Sequence, residues 1–222
     1  MTLLHRDDPG REPLGGNIKV TREDWLAQAR DVLIAQGVDQ VKILPLAERM
    51  RVSRSSFYWY FKDRAALLDA LLEAWAKGNS AGLLAMAAAP APTITAAVCN
   101  VFRCVANPEL YNMPADFAVR GWARTDPRAA ARVTETDAVR LAALTDMFAR
   151  YDYPPSEAET RAYVLYYMQI GYDLAKGDEP RASRMARMPH YLRVFTGRDP
   201  MADEVAEITD YTKRFWTEEM QP

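Results

Sequence analysis

Between residues 42 and 64 the chain carries Lys42, Arg49, Arg51, Arg54, Lys62 and Arg64 against only Glu48 and Asp63. These cations lie among the hydroxyls of Ser53, Ser55, Ser56, Tyr58 and Tyr60. Such groups neutralise and hydrogen-bond a phosphate backbone. A solvated helix face is the other meaning of a charge cluster. The whole chain has a net charge of −2, so the distribution of charge, not its sum, points to nucleic acid.

Other chemistry finds few groups to work with. His5 lies in a polar N-terminal stretch and His190 beside a proline, so there is no histidine pair for a metal. Cys99 and Cys104 are five residues apart, about 140° around a helix, which suits neither a local disulfide nor a shared metal. They read as reduced, packed thiols of a cytoplasmic protein. Neither a glycine-rich phosphate loop nor a nucleophile elbow is present. The expectation is a protein that is not an enzyme and needs no cofactor or metal. Residues 1–18 mix charges with Pro9 and Pro13 where a signal peptide needs an apolar core, and no later run approaches bilayer length. No membrane partner is expected.

The elements that must position the basic segment are helical. Apolar residues recur at three- and four-residue steps, and alternating β-branched runs are nearly absent. Residues 1–18 read as a flexible arm. A first helix runs from a Thr21 cap to a Gly37 stop, with Trp25, Leu26, Ala29, Val32 and Leu33 on one stripe. A second covers 44–50, with Pro45 in its first turn, and a third covers 54–60 behind Ser53. A long helix over 64–88 is followed by helices over 93–106, 109–123, 127–151, 156–176, 181–196 and 201–217, punctuated by Asn107-Pro108, Asp126-Pro127, Pro154-Pro155 and Asp199-Pro200. The fold class is all-α. A three-helix helix-turn-helix domain occupies 19–66, and a helical ligand-binding and dimerisation domain occupies 67–222.

The tight turn Met50-Arg51-Val52-Ser53 joins the second and third helices at helix-turn-helix spacing. Ala47 and Val52 let the two helices close, over Leu46, Met50 and Phe57. Arg54, Ser55, Ser56, Tyr58, Trp59 and Tyr60 are left facing outward with no acid among them. Phe57 and Phe61 read as packing residues, and Tyr58 fits either core or surface.

The segment MRVSRSSFYWYFKDRAALL resembles the signature of the TetR family of bacterial regulators, with Tyr58-Trp59-Tyr60-Phe61 closing the recognition helix and Arg64 and Leu67 opening the next. The resemblance is specific over residues 20–75 and architectural beyond. It implies a homodimeric transcriptional regulator, a repressor released from a near-palindromic operator in double-stranded DNA when a small-molecule effector binds. The alternative is a helical interaction or ligand-binding module that has lost DNA binding. The resemblance makes Tyr58, Tyr60 and Arg64 phosphate contacts, with Lys42 and Lys62 beside them. Arg54, Ser55, Ser56 and Trp59 are then the base readers. One departure is Arg51, which stands where the family usually has glycine and must accept a left-handed backbone.

In the second half, residues 159–176 are apolar on nearly every face, and Val205, Ile208, Thr212, Phe215 and Trp216 form a stripe on the last helix. Tyr166 and Ile170 with that stripe resemble the family's paired dimerisation helices. The competing reading is ordinary packing within one subunit. The effector pocket is expected among Phe102, Tyr111, Met113, Phe117, Arg120, Trp122, Tyr163 and Tyr167, with Asn100, Asp116 and Gln169 as further polar anchors.

Overall fold

The computed structural model describes residues 20–175 and 180–215, the side chains of residues 173, 174 and 181 excepted. The expected arm 1–18 and Trp216 lie outside the described residues. Every described element is a helix. α1 (Arg22–Gln36) starts at a reciprocal cap, in which the Thr21 hydroxyl accepts from the Asp24 amide and the Asp24 carboxylate accepts from the Thr21 amide. It buries Trp25, Ala29, Val32 and Leu33 and stops at Gly37, whose φ of +83° suits glycine. A single 3₁₀ turn leads to α2 (Ile43–Arg49) and α3 (Arg54–Phe57). α4 (Arg64–Ala88), capped by the Asp63 carboxylate, runs from this head into the body.

The body adds α5 (Ile94–Ala106), α6 (Met113–Ala123), α7 (Pro127–Ala149), α8 (Pro155–Ala175), α9 (Arg181–Ala186), α10 (Met188–Thr196) and α11 (Ala202–Lys213). Side chains of Thr93, Asn112 and Asp126 cap α5, α6 and α7. Besides α11, which ends at Lys213 and not at 217, three elements depart from the sequence expectation. The third helix ends at Phe57, because residues 58–60 close as turns. The helix expected over 109–123 begins only at Met113, since the Asn107 side chain accepts from the Glu109 amide and holds a turn there. The helix expected over 181–196 breaks at Arg187, because Pro189 lacks the N–H that a continuous helix needs at that position.

Two apolar cores result. One lies within the body and contains Val98, Val101, Leu144, Met147, Phe148, Leu165, Leu192 and Ile208. The other begins under α3 with Trp25, Leu46, Ala47 and Phe57, continues along α4 through Leu67, Leu71 and Trp75, and ends on α6 and α7 at Ala115, Val119, Trp122 and Ala129. Packing therefore does not stop at residue 66. The head core extends onto α6, and α1 lies against α6. No helix of the described residues is long and apolar enough to cross a membrane.

Candidate DNA-reading surface and body cavity

The head presents α3 from a rigid base. Phe57 on its inner face is fully buried and meets Trp25 edge-on at 5.3 Å between ring centroids, with Leu46 and Ala47 closing from α2. The α2–α3 turn passes through Arg51 at a φ of +55°, the left-handed backbone expected there, and the Val52 amide donates to the Ala47 carbonyl at 3.0 Å. The opposite edge faces solvent. Lys42, Arg54, Ser55, Tyr58, Trp59 and Lys62 are exposed and Ser56 is half-buried. Trp59 is 85% exposed, an unusual cost for an indole that has nothing else to contact. Arg54 Nη2 donates to the Tyr58 hydroxyl at 3.0 Å, which aligns a cation and a phenol on one edge. Ser56 Oγ donates to the Ser53 carbonyl at 2.7 Å.

Tyr60 and Arg64 are placed differently from the expectation. The Tyr60 hydroxyl donates to the Val20 carbonyl at 2.6 Å. Arg64 gives Nε to the Val41 carbonyl at 2.6 Å and Nη2 to the Val38 carbonyl at 2.7 Å. The carbonyls of Val20 and Val41 lie just ahead of α1 and α2 and these donors satisfy them, while the Val38 carbonyl, which already accepts from the Val41 amide, gains a second donor. Both side chains thus brace the head's own backbone, with the donors expected to meet a phosphate turned inward. The contacts span 23 residues or more in sequence, so no local pattern announces them.

The body encloses a polar cluster between α4, α6, α7 and α8. Arg140, fully buried, donates Nη1 to Asp116 Oδ1 at 2.9 Å and to the hydroxyls of Tyr166 and Tyr111 at 3.2 and 3.3 Å, and donates Nε to Ser80 Oγ at 3.0 Å. Arg120 grips Asp137 with both terminal nitrogens, at 2.9 and 2.7 Å, and Asp116 with Nε at 2.7 Å. Burial alone would raise the Asp116 carboxyl, but Arg120 and Arg140 outweigh it and hold the group below the usual carboxylate range. Burial pushes the phenols of Tyr111 and Tyr166 up, so both keep their protons. Burial likewise pushes Cys99 up to about 12 and Cys104 to about 11, which leaves two inert thiols. Of this cluster Tyr111, Asp116 and Arg120 were singled out from sequence for a pocket and Tyr166 for an interface, but Ser80, Asp137 and Arg140 were not. Arg140 carries no signal there beyond being a charge on an otherwise amphipathic helix.

Beside this cluster run two narrow cavities that share Phe102, Val105 and Gln169. The inner one, of about 20 Å³, ends on Tyr111 and Tyr166. The outer one, of about 40 Å³, is lined by Met113, Met168, Met185 and Met188. The expected pocket and interface sets exchange members here. Phe102, Tyr111 and Met113 line the cavities, and so do Tyr166, Ile170 and Thr212, which were expected at an interface. Arg120 lies behind the wall, bonded to Tyr166. Trp122 is buried in the head core, while Phe117, Tyr163 and Tyr167 are exposed. Ile208 and Thr212 are buried within one chain because α11 packs on α5, where Glu204 accepts from Thr95 at 2.6 Å; Val205 and Phe215 are half-buried. The open apolar face is instead on α8, where Tyr163, Val164 and Tyr167 are exposed, with Val139 exposed on α7.

Comparison with known proteins agrees with this arrangement. Residues 26–71 match the model of the bacterial regulatory proteins of the tetR family. The class A tetracycline repressor protein from transposon 1721 of Escherichia coli is 45% identical over 51 residues, 23% of this chain and 24% of that protein. The class C tetracycline repressor protein of Escherichia coli is 41% identical over 56 residues, 25% and 26% of the two chains. The match thus spans about a quarter of the length of these relatives. The solved structure of a transcriptional regulator from Rhodococcus sp. Rha1 aligns with a TM-score of 0.60 at 18% identity, covering 86% of this chain and 97% of that one. That of Mycobacterium smegmatis AmtR aligns with 0.56 at 18% identity, covering 89% and 95%. These two show the fold, an N-terminal helical head on a helical body. Over residues 26–71 the chain is similar to the bacterial regulatory proteins of the tetR family.

Proposed function

We propose that the protein is a sequence-specific DNA-binding transcriptional regulator, a repressor that leaves its operator when a small molecule occupies the body. The observation that carries this reading is the α3 edge, where Arg54, Ser55, Tyr58 and Trp59 face solvent while Phe57 on the opposite side is fully buried. A short helix held by its inner face, with donors and aromatics and no acid outward, is shaped for a major groove. Arg54 and Trp59 read base edges; Lys42, Lys62 and Tyr58 hold phosphates. Tyr60 and Arg64 act as the frame that fixes the helix.

Two copies pair through the exposed Tyr163, Val164 and Tyr167 of α8, and so present two heads to a near-palindromic site. An effector between the body helices shifts the spacing of the heads, provided it binds the DNA-incompetent arrangement more tightly. Selection of binding sequences from a random duplex pool tests the reading. The expected result is one inverted-repeat site whose affinity falls steeply with salt. Recovery of no preferred sequence, or a flat salt response, overturns it in favour of a module without DNA binding.

A further inference from the structure

Tyr111 stands in the wall of the inner cavity, and Arg140, outside that wall, is bonded to its hydroxyl. Arg140 is fully buried, yet its Nη2 has no hydrogen-bond partner among the described residues. A buried guanidinium nitrogen left unpaired is costly, and such groups mark places where an acceptor belongs. The Tyr111 hydroxyl accepts from Arg140 Nη1, so its own O–H remains to donate, and Tyr111 lines the cavity. Tyr166, on the same wall, already donates to Asp137 at 2.7 Å. The surrounding charges balance, Arg120 and Arg140 against Asp116 and Asp137. An ionised ligand would leave an uncompensated charge in that interior.

Apart from Gln169 and Ile170, the remaining inner wall is formed by six apolar side chains, and Arg184 and Thr212 add polar groups to the outer one. Leu83, Val101, Phe102, Val105, Leu144 and Leu165 line the inner cavity. The four methionines of the outer one can repack around a guest larger than the present space. We propose that the effector is an uncharged, mainly apolar molecule with a carbonyl-type acceptor, an ester, lactone or ketone, whose oxygen is received by the Tyr111 hydroxyl, itself bonded to the under-satisfied Arg140. This rests on the regulator reading for its role as effector, though not for its binding. Tyr111 accepts from Arg140, Arg140 also donates to Asp116 on α6, and α6 packs on α1 of the head, so occupancy of the cavity reaches the head through named contacts.

The test uses the full chain and a matched series: methyl decanoate, γ-decalactone, decanoic acid and decane, titrated calorimetrically. The ester and lactone bind, and the acid and alkane bind at least about tenfold more weakly, the value of one buried hydrogen bond. Tyr111→Phe lowers ester affinity about tenfold and leaves alkane affinity unchanged. Val105→Phe, which fills both cavities, weakens every probe. Equal binding of ester and alkane, tighter binding of the acid, or no binding of ester and lactone overturns the proposal. Acid binding that is lost in Arg184→Gln would place a carboxylate at the outer cavity and overturn it too. A gel-shift titration on the selected duplex separates the two readings. Ester binding by a chain that binds no DNA defeats the regulator alone; DNA binding with indifference to the ester defeats this proposal alone.

Discussion

Trp75 donates its indole N–H to Oδ1 of Asp116 across 3.1 Å and so ties α4, the helix that leaves the N-terminal head, to α6, which packs on α1. The other Asp116 oxygen accepts from Arg120, and Arg140 shares Oδ1. One carboxylate therefore holds two guanidiniums and an indole in a nearly dry interior. The ion pairs themselves contribute little over apolar packing, but loss of one partner strands the others.

Asp116→Asn is expected to lower stability at neutral pH by about 3 kcal/mol, through the two cations left short of a counter-charge. Because the folded Asp116 carboxyl is held below its ordinary value, its contribution is full above the unfolded pKa of about 3.9 and fades as pH falls through the lower folded value. Urea midpoints of the two proteins should converge on acidification below about pH 4. A constant gap across that range would assign the effect to shape and not to charge.

Trp59→Ala is expected to keep the melting temperature, since an 85% exposed side chain gives up little packing. The same change weakens binding to the selected duplex by about 1–3 kcal/mol if the indole reaches base edges. Arg54→Ala should relax sequence preference at one position more than it lowers total binding. Uniform weakening across unrelated duplexes would move Arg54 to the phosphate contacts. Fluorescence anisotropy against a panel of single-base variants reads both.

Val164→Glu places a charge on the exposed face of α8 beside Tyr163 and Tyr167. Sedimentation should show monomers that melt as a folded protein. Ile208→Asp is the contrast, because Ile208 is fully buried against α5 and α10, and a charge there should unfold the chain outright. A folded dimer in the Val164→Glu protein would send the search for the interface to another face.

How far these sites could be read from sequence depends on the range of the contacts involved. α4 has the expected bounds, because Asp63 at its start and Pro90 beyond its end are local signals. Arg51 is left-handed as its turn position demands. The bonds of Tyr60 and Arg64 to the head's own backbone were not legible because their acceptors, Val20, Val38 and Val41, lie elsewhere in the chain. α8 defeated periodicity for another reason. With apolar residues on nearly every face, nothing in its pattern says that Tyr166 turns into the body while Tyr163 and Tyr167 face out. Arg140 could not be distinguished from the surface arginines of α7 until α4, α6 and α8 were in place around it.

The turn before α3 offers a backbone test. At a φ of +55° a side chain with a Cβ is strained, and more so if it is branched there. Arg51→Gly should leave stability within about 0.5 kcal/mol, the relief of strain offsetting the greater freedom of glycine in the unfolded chain. Arg51→Val should cost about 1–2 kcal/mol. Equal tolerance of both residues in a urea titration would show that the turn relaxes to another conformation.

Gly82 tests the closeness of α4 to the segment before α6. A Cβ built there would stand 2.6 Å from the Leu110 carbonyl oxygen, 3.1 Å from Leu110 Cβ and 3.2 Å from Cys104 Sγ. The nearest atom is backbone, held in a turn by the Leu110 amide donating to the Asn107 carbonyl at 3.0 Å, so it cannot swing away as a side-chain tip does. Alanine would gain about 1 kcal/mol of helix propensity over glycine. Overpacking of about 1–3 kcal/mol opposes that gain. Gly82→Ala is therefore expected to lower stability by about 1 kcal/mol, while Gly78→Ala, one turn earlier with open space around its Cβ position, should raise it. Opposite signs at two glycines of one helix cannot come from propensity, so thermal melts of the pair isolate the contact with Leu110.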